Sequence, residues 1–423
     1  MGALRTVFVF AVGAAVGCQV SRSDTTATVT PCQKCGAACF NLQVDPGNCG
    51  GCGLTCPVGQ VCQNGTCGNP PSCAAGGQGM TNCGAGGSGT ESCCTSQEVT
   101  GGTFYRTYDP IVSVDGAPPG TTPERVLVGD NGRPVGEADP ATVSNFRLDK
   151  YEVTVGRFRQ FVTAWRGGWT PSEGSGKHVH LNNGKGLVPG GDMPALIATE
   201  ASYFTRIDYE PGWSTSDNIN IAPTDANLAN DLCDFRQTWT PSPGSNENLP
   251  INCVTWWEAY AFCIWDGGFL PSSAEWEFAA AGGSQQREYP WGSTDPGIDN
   301  QYAIYGCFYP PGLPGTPDSS LFTCPSPVAL GTVNIAPVGT AMLGAGRWGQ
   351  LDLAGNVTEW NLDYSYAYEN PCTDCAELSW NDFKRYAGGG YTASTWELVP
   401  SVVANSSPGD RTDGCGFRCA RTP

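Results

Sequence analysis

The 22 cysteines of this 423-residue chain constrain its fold more than any other feature. In a reducing cytosol they would remain reactive thiols, whereas an oxidising compartment allows them to link loops as disulfides. Twelve of them lie between Cys32 and Cys94, where apolar residues are scarce, so disulfides rather than a core must shape that segment. The cysteine content therefore predicts an exported protein.

The N-terminus has the organisation of an export signal. Arg5 precedes an apolar run over residues 7–16 that is too short to span a membrane. Ala15-Val16-Gly17 directly precedes Cys18, an arrangement similar to a bacterial lipobox, in which the cysteine is acylated and becomes the new N-terminus. We expect residues 1–18 to be a lipoprotein signal peptide with Cys18 as the lipidated residue. Signal cleavage without lipidation is the alternative.

The rest of the chain divides into three parts. Residues 19–31 are rich in Ser and Thr and are interpreted as a flexible tether above the membrane. Residues 32–97 form a Cys/Gly-rich disulfide module that includes a linker, the Gly-rich stretch 74–90. Residues 98–423 carry aromatic residues and helix signals and form the large domain. With this organisation we expect an outer-membrane or cell-surface lipoprotein that contacts the membrane only through its lipid.

Two cysteine pairs in the module also have the spacing of a zinc site. They are Cys32 with Cys35 and Cys49 with Cys52. The segment contains no histidine and the expected compartment is oxidising, so disulfides are favoured over zinc.

Charge and composition restrict the function classes. The formal net charge of −18 repels phosphate backbones, so nucleic acid is not expected as a partner, and it favours divalent cations. The chain has 57 Gly, 33 Pro and 13 Trp but few charged residues. Such a composition favours a loop-rich fold with aromatic packing over a helical bundle.

Local patterns in the large domain predict one strand and three helices. Residues 146–153 have the composition of a strand. Each helix start is marked by a capping side chain, namely Thr154, then Thr255 with Glu258 three residues later, then Ser272 with Glu275. The last helix is predicted over residues 274–281, and Gly282-Gly283 ends it.

Seven sequence blocks follow one another in the domain. They are Leu148–Thr154, Pro250–Trp256, Gly268–Ala280, Tyr289–Gly292, Leu351–Trp360, Gly388–Gly390 and Gly416–Arg421. In this order they resemble the formylglycine-generating (sulfatase-modifying) enzyme family over residues 98–423. The resemblance implies a single α+β domain related to C-type lectins, low in regular structure and rich in loops.

The resemblance also implies a structural disulfide between Cys263 and Cys419. The pairs Cys307 with Cys324 and Cys372 with Cys375 are proposed only because they are close in sequence. Nine cysteines lie in the domain, so one is free or bonded to the N-terminal module.

Four tryptophans of the blocks have two interpretations. They are Trp256, Trp276, Trp291 and Trp360. We expect them to belong to the core rather than to contact a substrate, because buried aromatic side chains commonly fix loop-rich folds.

Enzymes of this family use oxygen and copper to oxidise a cysteine of a sulfatase to formylglycine, and two cysteines five residues apart hold the copper. Cu(I) is soft and needs such thiolates. Aligning Gly388-Gly389-Gly390 with the family's Gly-Gly-Ser turn places Ala393 and Leu398 at the two cysteine positions. Gly390 replaces the Ser, and Gly414 replaces an Asn near the terminal block. We therefore expect no catalytic residues, no copper and no formylglycine formation.

Two other pairs of residues have side chains that could bind a metal. Cys372 and Cys375 are alternative copper ligands, although a disulfide between them is favoured. His178 and His180 are two residues apart on a Gly-rich loop and suit a weak metal site or part of an iron centre of the kind found in related oxidases. The favoured interpretation is a solvated pair of loop histidines.

A calcium site is implied by the block around residue 355. The family holds Ca²⁺ there with two side-chain oxygens and two carbonyls, which correspond to Asp352, Glu359, Gly355 and Val357. Calcium takes six to eight oxygen ligands in flexible geometry, so water or neighbouring loops would supply the others. The alternative is that Asp352 and Glu359 merely make hydrogen bonds within a turn. The family's second calcium site cannot be placed within residues 300–338.

Three functions remain open on the sequence alone. The first is a non-catalytic binding module for a peptide or glycan, with residues 165–250 as recognition loops rich in Trp, Tyr, Asn and Gly. The second is an oxidase, either formylglycine-generating or iron-dependent. The third is a structural envelope protein. We favour the first, because a fold does not carry its activity with it.

Overall fold

A computed structural model describes most of the chain from residue 33 to residue 423. The described residues are 33–35, 38–40, 42–43, 47–57, 60–74, 76–84, 89–108, 111–113, 124–126, 136–178, 180–181, 210–229, 233, 236–312, 324, 334–366, 368, 370–379 and 381–423. The export signal, Cys18, the tether and Cys32 lie outside them, as do residues 182–209. Among these ranges, no helix is both long enough and apolar enough to cross a membrane.

The regular elements are short. The helices are α1 Val155–Arg166, α2 Asp225–Leu228, α3 Trp256–Trp265 and α4 Ser273–Ala280. The strands are β1 Gln33–Cys35, β2 Ala38–Phe40, β3 Val61–Gln63, β4 Thr66–Gly68, β5 Ser96–Val99, β6 Gly102–Tyr108, β7 Ile111–Ser113, β8 Glu124–Val126, β9 Glu137–Val143, β10 Phe146–Asp149, β11 Thr358–Tyr364, β12 Cys372–Thr373, β13 Lys384–Ala387, β14 Val403–Ser406, β15 Cys415–Gly416 and β16 Ala420–Arg421. The fold is thus α+β and rich in loops, as the sequence predicts.

Three small sheets organise the large domain. Their strand orders are β16-β10-β5, β14-β13-β11-β15 and β12-β9-β6. Strand β11 is antiparallel to β13 and parallel to β15. Helix α4 packs against β11 and β13. This sheet carries the Gly388–Gly390 turn after β13, so it positions the family's catalytic region.

The three predicted helix starts are confirmed. Thr154 accepts a hydrogen bond from the Arg157 amide, and α3 and α4 both begin with complete capping boxes. Gly282 and Gly283 have φ of 65° and 58°, a left-handed conformation that ends α4. These signals are local, so the sequence alone was sufficient to find them.

The predicted strand over residues 146–153 is too long. Strand β10 ends at Asp149, where its pairing with β5 ends. The Arg418 guanidinium then donates hydrogen bonds to the carbonyl oxygens of Asp149 and Lys150, at 3.1 and 3.2 Å. A side chain from the far end of the chain therefore replaces the ladder at that point.

The stretch interpreted as a linker, residues 74–90, packs against the large domain where it is described. The Gly79 amide donates to Asn248 Oδ1 at 2.6 Å, and the Thr154 hydroxyl donates to the Gly79 carbonyl. A Cβ on Gly79 would lie 1.9 Å from the Glu247 carbonyl oxygen, so only glycine allows this approach. Gly79 therefore serves close packing rather than flexibility, and this described part of the stretch does not behave as a free linker.

Disulfides shape the N-terminal module. The described pairs are Cys35–Cys52, Cys49–Cys62, Cys56–Cys67, Cys73–Cys94 and Cys83–Cys93. Zinc binding through Cys49 and Cys52 is therefore wrong, because each is bonded to a different partner.

The main core lies between α1, α3 and the C-terminal residues. The rings of Phe158, Phe262 and Phe417 pack together with centroids 5.4–6.3 Å apart. Cys263 is bonded to Cys419 in this cluster, across a sequence separation of 156. Closing so long a loop stabilises the fold by roughly 4–5 kcal/mol through chain entropy.

Candidate functional site

The structure brings the two expected copper-ligand positions together in an apolar cluster. Ala393 and Leu398 are both buried, with 4% and 1% of their surfaces exposed. Their neighbours in the cluster are Tyr289, Ala303, Tyr305, Phe308, Ala354 and Val399. None of these side chains offers a soft ligand, so the cluster has no group that would hold Cu(I).

Gly390 and Gly414, which align with a Ser and an Asn of the family, also lie close to each other. A Cβ on Gly390 would lie 3.5 Å from the Gly414 carbonyl oxygen, and the Ala393 amide donates to the Gly390 carbonyl at 2.9 Å. The local turn is intact, because Gly388 and Gly389 keep left-handed φ values of 101° and 63°. The Gly388–Gly390 segment thus forms a tight turn, and the two positions aligned with polar family residues are glycines that lie next to each other.

The remaining cysteines do not supply a substitute pair of thiols. Cys372 and Cys375 are bonded to each other at 2.06 Å and lie in a different apolar cluster from Ala393. Among the described cysteines one is free, Cys415, which is buried. Burial raises the pKa of this thiol to about 12, so it is not a thiolate at neutral pH.

The expected calcium-site carboxylates both accept hydrogen bonds from outside their own turn. Glu359 accepts from Arg418 Nε and Nη2 at 2.7 and 2.6 Å and from Trp276 Nε1 at 2.8 Å. Asp352 Oδ2 accepts from the Gly339 amide at 2.6 Å. Both oxygens of Glu359 thus accept from residues 59 and 83 positions away in sequence, which differs from the alternative of hydrogen bonds within the turn.

A third buried carboxylate, Glu152, lies beside this turn. Its oxygens accept from Asn356 Nδ2 at 2.7 Å and from the Val357 amide at 3.0 Å. The sequence placed Glu152 inside a recognised block but gave no sign of this role. Its partners are more than 200 residues away in sequence, so no local pattern identifies them.

The cluster carries more negative than positive charge. Glu152, Asp352 and Glu359 are all buried, and Arg418 is the basic side chain beside them, with an ion pair to Glu359 at 2.6 Å. Burial, followed by Asp352 and Glu359, holds the pKa of Glu152 well above its usual value. Burial, together with Glu359, raises the pKa of Asp352 to about 6, against the Gly339 amide and Arg418. The raised pKa values mean that burial and neighbouring carboxylates favour the protonated forms of Glu152 and Asp352. A nearby cation would favour their ionised forms instead.

The geometry restricts how that cation would be held. The three carboxylates do not place one oxygen each within 4.8 Å of one another. Within the described ranges, such a convergence is found for Cys49, Cys56 and Cys67, which are all bonded in disulfides. Calcium at this turn would therefore depend on the carbonyl oxygens of Gly355 and Val357 as well as on side chains.

The favoured interpretation of His178 and His180 as a solvated pair is wrong. His178 is fully buried, and its Nδ1 and Nε2 lie 3.0 Å from oxygens of Glu210 and Glu275, respectively. Its ring packs on Phe269 with centroids 3.9 Å apart. His180 Nε2 lies 3.0 Å from the other oxygen of Glu275.

This cluster is an ionic network rather than a metal centre. Both nitrogens of His178 face carboxylates, which only accept hydrogen bonds, so the ring is an imidazolium. Burial alone would lower the pKa of His178, but Glu210 and Glu275 outweigh it and raise that pKa to about 10. The two histidines and Glu275 do not bring three ligand atoms within 4.8 Å, so the geometry does not fit an iron triad.

Most of the tryptophans singled out above belong to the core. Trp256, Trp276 and Trp360 are buried, as predicted, and Trp291 is half-buried and stacked on Tyr289 at 5.0 Å. Within the insertion 165–250, two tryptophans expected to aid recognition, Trp213 and Trp239, are buried as well. These two indoles therefore stabilise the insertion instead of contacting a ligand.

The fold defines a class: a loop-rich α+β domain of the formylglycine-generating type. Residues 91–423 match the sequence profile of the sulfatase-modifying factor enzyme 1-like domain. The chain belongs to this family.

Some relatives are named as formylglycine-generating enzymes and others as inactive forms of that enzyme. An inactive Cα-formylglycine-generating enzyme 2 of Bos taurus is 31% identical over 44% of this chain and 55% of that protein. A formylglycine-generating enzyme of Streptomyces coelicolor is 34% identical over 65% of this chain and 77% of that protein. This chain therefore spans about half the length of the bovine relative and more of the bacterial one.

A solved structure with the same fold is PvdO from Pseudomonas aeruginosa. It is 18% identical, covers 77% of this chain and 93% of its own, and superposes with a TM-score of 0.43. This likeness is too low to carry a functional argument.

Proposed function

We propose that this chain is a non-catalytic binding module of the sulfatase-modifying factor family, displayed on an exported lipoprotein. The observation that carries the proposal is the burial of Ala393 and Leu398 in one apolar cluster at the positions of the two copper-binding cysteines. Relatives from Bos taurus and Mus musculus that bear the name of an inactive enzyme support it. The ligand class proposed is a peptide or glycan, and the net charge of −18 argues against nucleic acid.

The first prediction concerns copper. The oxidised chain, titrated anaerobically with Cu(I) in competition with a chromogenic chelator, is expected to bind no tight equivalent, because thiolates are absent from the pocket. A sulfatase-derived cysteine peptide incubated with copper and oxygen is expected to remain unmodified by mass spectrometry. The double variant Ala393→Cys with Leu398→Cys is the matched control and is expected to gain one tight Cu(I) equivalent. Stoichiometric Cu(I) binding or peptide oxidation by the parent chain would contradict the proposal.

We further propose that calcium is a structural cofactor of this module. Asp352, Glu359 and the carbonyls of Gly355 and Val357 are the ligands proposed, with Glu152 as a buried neighbour of like charge. The excess of buried negative charge around Arg418 supports a cation at this turn. Its role would be to brace the loop that leads into β11.

The second prediction concerns this ion. Chelation is expected to lower the melting temperature of the chain, and Asp352→Ala is expected to abolish the difference between chelated and calcium-loaded samples. At a free calcium concentration 100 times Kd, the stabilisation is about 2.7 kcal/mol. Asp382→Ala, which changes an exposed carboxylate elsewhere, is expected to keep the full calcium response. Identical melting curves with and without chelator, measured by calorimetry, would remove calcium from the proposal.

Attachment through Cys18 is part of the same proposal. The apolar run and the small residues before Cys18 support it. Mass spectrometry of the mature N-terminus distinguishes an acylated Cys18 from an unmodified end. An unmodified end would leave an exported binding module without a lipid anchor.

A further inference from the structure

A cleft of about 510 Å³ lies outside the Ala393 cluster, and none of the residues that line it was singled out above for function. Its walls include Asp299, Asn300, Tyr309, Thr340, Met342 and Leu343. The volume is within the range of small-ligand sites. The cleft is therefore large enough for one long side chain of a partner.

The apolar part of the cleft is unusually exposed. Met342 and Leu343 are 53% and 52% exposed, although both are large hydrophobic residues. Ile298, next to the lining residue Asp299, is exposed as well. Adjacent exposed apolar side chains that rim a cleft mark an interaction site rather than a solvated surface, and methionine suits such surfaces.

The polar part of the cleft is acidic and rich in hydrogen-bond acceptors. Asp299 is an exposed carboxylate, and none of the residues that line the cleft is Lys or Arg. Asp295, four residues before Asp299, is a second exposed carboxylate. A ligand of opposite charge fits this surface.

Asn300 adds an unsatisfied acceptor. It is buried, and its Nδ2 donates to the Phe308 carbonyl at 3.1 Å, which leaves Oδ1 as the free end of the amide. That Oδ1 has no hydrogen-bond partner in the structure. A buried acceptor without a partner is destabilising, which marks the wall beside Asp299 as incompletely satisfied, although this Oδ1 is not itself exposed to a ligand in the cleft.

We propose that this cleft binds the Lys or Arg side chain of a partner polypeptide, which deepens the proposed binding function and rests on it. The cationic head lies between the Asp299 carboxylate and the Tyr309 ring, where an ion pair and a cation–π contact are both available. The alkyl stem and an apolar neighbour of the basic residue lie on Met342 and Leu343. The cleft thus selects for charge at one end and apolar surface at the other.

The test uses the full chain and an array of tetrapeptides with one Arg or Lys beside a Leu. Each peptide is paired with a neutral copy that carries citrulline or acetyl-lysine. Charged peptides are expected to bind at least fivefold more tightly than their neutral copies by calorimetry, and Asp299→Asn is expected to remove that preference. Asp382→Asn, the matched control with the same loss of charge at an exposed site outside the cleft, is expected to keep it.

Other outcomes separate this inference from the proposed function. If the chain binds peptides or glycans but Asp299→Asn changes nothing, the cleft assignment is overturned while the binding function stands. If spermidine competes with equal affinity through Asp299, the ligand is a small polycation and the polypeptide assignment is overturned. If the chain oxidises the sulfatase-derived peptide, the proposed function itself fails, whatever the cleft binds.

Discussion

Replacing Arg157 with methionine is expected to destabilise the folded chain by about 3–5 kcal/mol, the cost of removing one partner of a buried ion pair. Arg157 is fully buried in α1. Its Nη1 lies 3.1 Å from Asp149 Oδ2, and its Nη2 lies 2.6 Å from Asp266 Oδ2. Without Arg157 both carboxylates remain buried, with Arg421 as the cation still in contact with them. Urea unfolding with disulfides intact measures the effect.

The reason for so large an effect is that Arg157 also holds the N-terminal module. Its Nε donates to the Ser72 hydroxyl at 3.0 Å, and its Nη1 donates to the Cys93 carbonyl at 3.1 Å. The Ser72 amide donates to Asp266 Oδ1 at 3.0 Å. Burial alone would raise the pKa of Asp266, but Arg157, Arg421 and that amide outweigh it and lower the pKa. The variant therefore loosens the module as well as the core.

Arg166→Met is the matched control on the same helix. Arg166 pairs with Asp225 at 2.9 Å, but the two side chains are 49% and 42% exposed. Exposed pairs of this kind contribute about 0–1 kcal/mol. Equal losses of stability in the two variants would show that the Arg157 network is not a special determinant of this fold.

Local sequence signals were sufficient for the parts of the fold that depend on near neighbours. The capping boxes of α3 and α4 each involve residues three apart, and both were predicted correctly. The ordered blocks identified the family and its fold. Ala393 and Leu398, which follow the Gly388–Gly390 turn by three and eight residues, lie in one apolar cluster, while their assignment to the copper-ligand positions stays a prediction.

Predictions failed where a residue's environment comes from distant parts of the chain. His178 was interpreted as solvated, yet its partners Glu210 and Glu275 are 32 and 97 residues away. Gly79 was assigned to a linker, although its close partner Asn248 is 169 residues away. The odd number of cysteines in the domain predicted that one is free or bonded to the N-terminal module, but the sequence did not identify it as Cys415, which is free and buried in β15. Such pairings depend on tertiary structure, which a single sequence does not reveal.

His178→Gln is expected to destabilise the chain at pH 6 by about 3–5 kcal/mol, because it removes the buried group that lies between Glu210 and Glu275 and leaves His180 as the remaining histidine on Glu275. The effect is expected to shrink as pH rises. The pKa of His178 is raised to about 10 in the folded chain, against about 6.5 when unfolded. Its contribution to stability is therefore complete below pH 6.5 and is lost as pH rises toward 10, at no more than about 1.4 kcal/mol per pH unit.

The predicted pH dependence is tested by measuring the free energies of unfolding of parent and variant at pH 6, 7.5 and 9. The contributions of groups that titrate in both proteins cancel in the difference. Glu277, whose pKa burial raises to about 8, is one such group. His180→Gln is the matched control, because His180 is partly exposed and has one carboxylate contact, at 3.0 Å from Glu275. It is expected to cost less and to leave the pH dependence close to that of the parent. Parallel profiles of stability against pH for parent and His178→Gln would mean that His178 is not charged in the folded chain. Its contacts with Glu210 and Glu275 would then be neutral hydrogen bonds and not an ionic network.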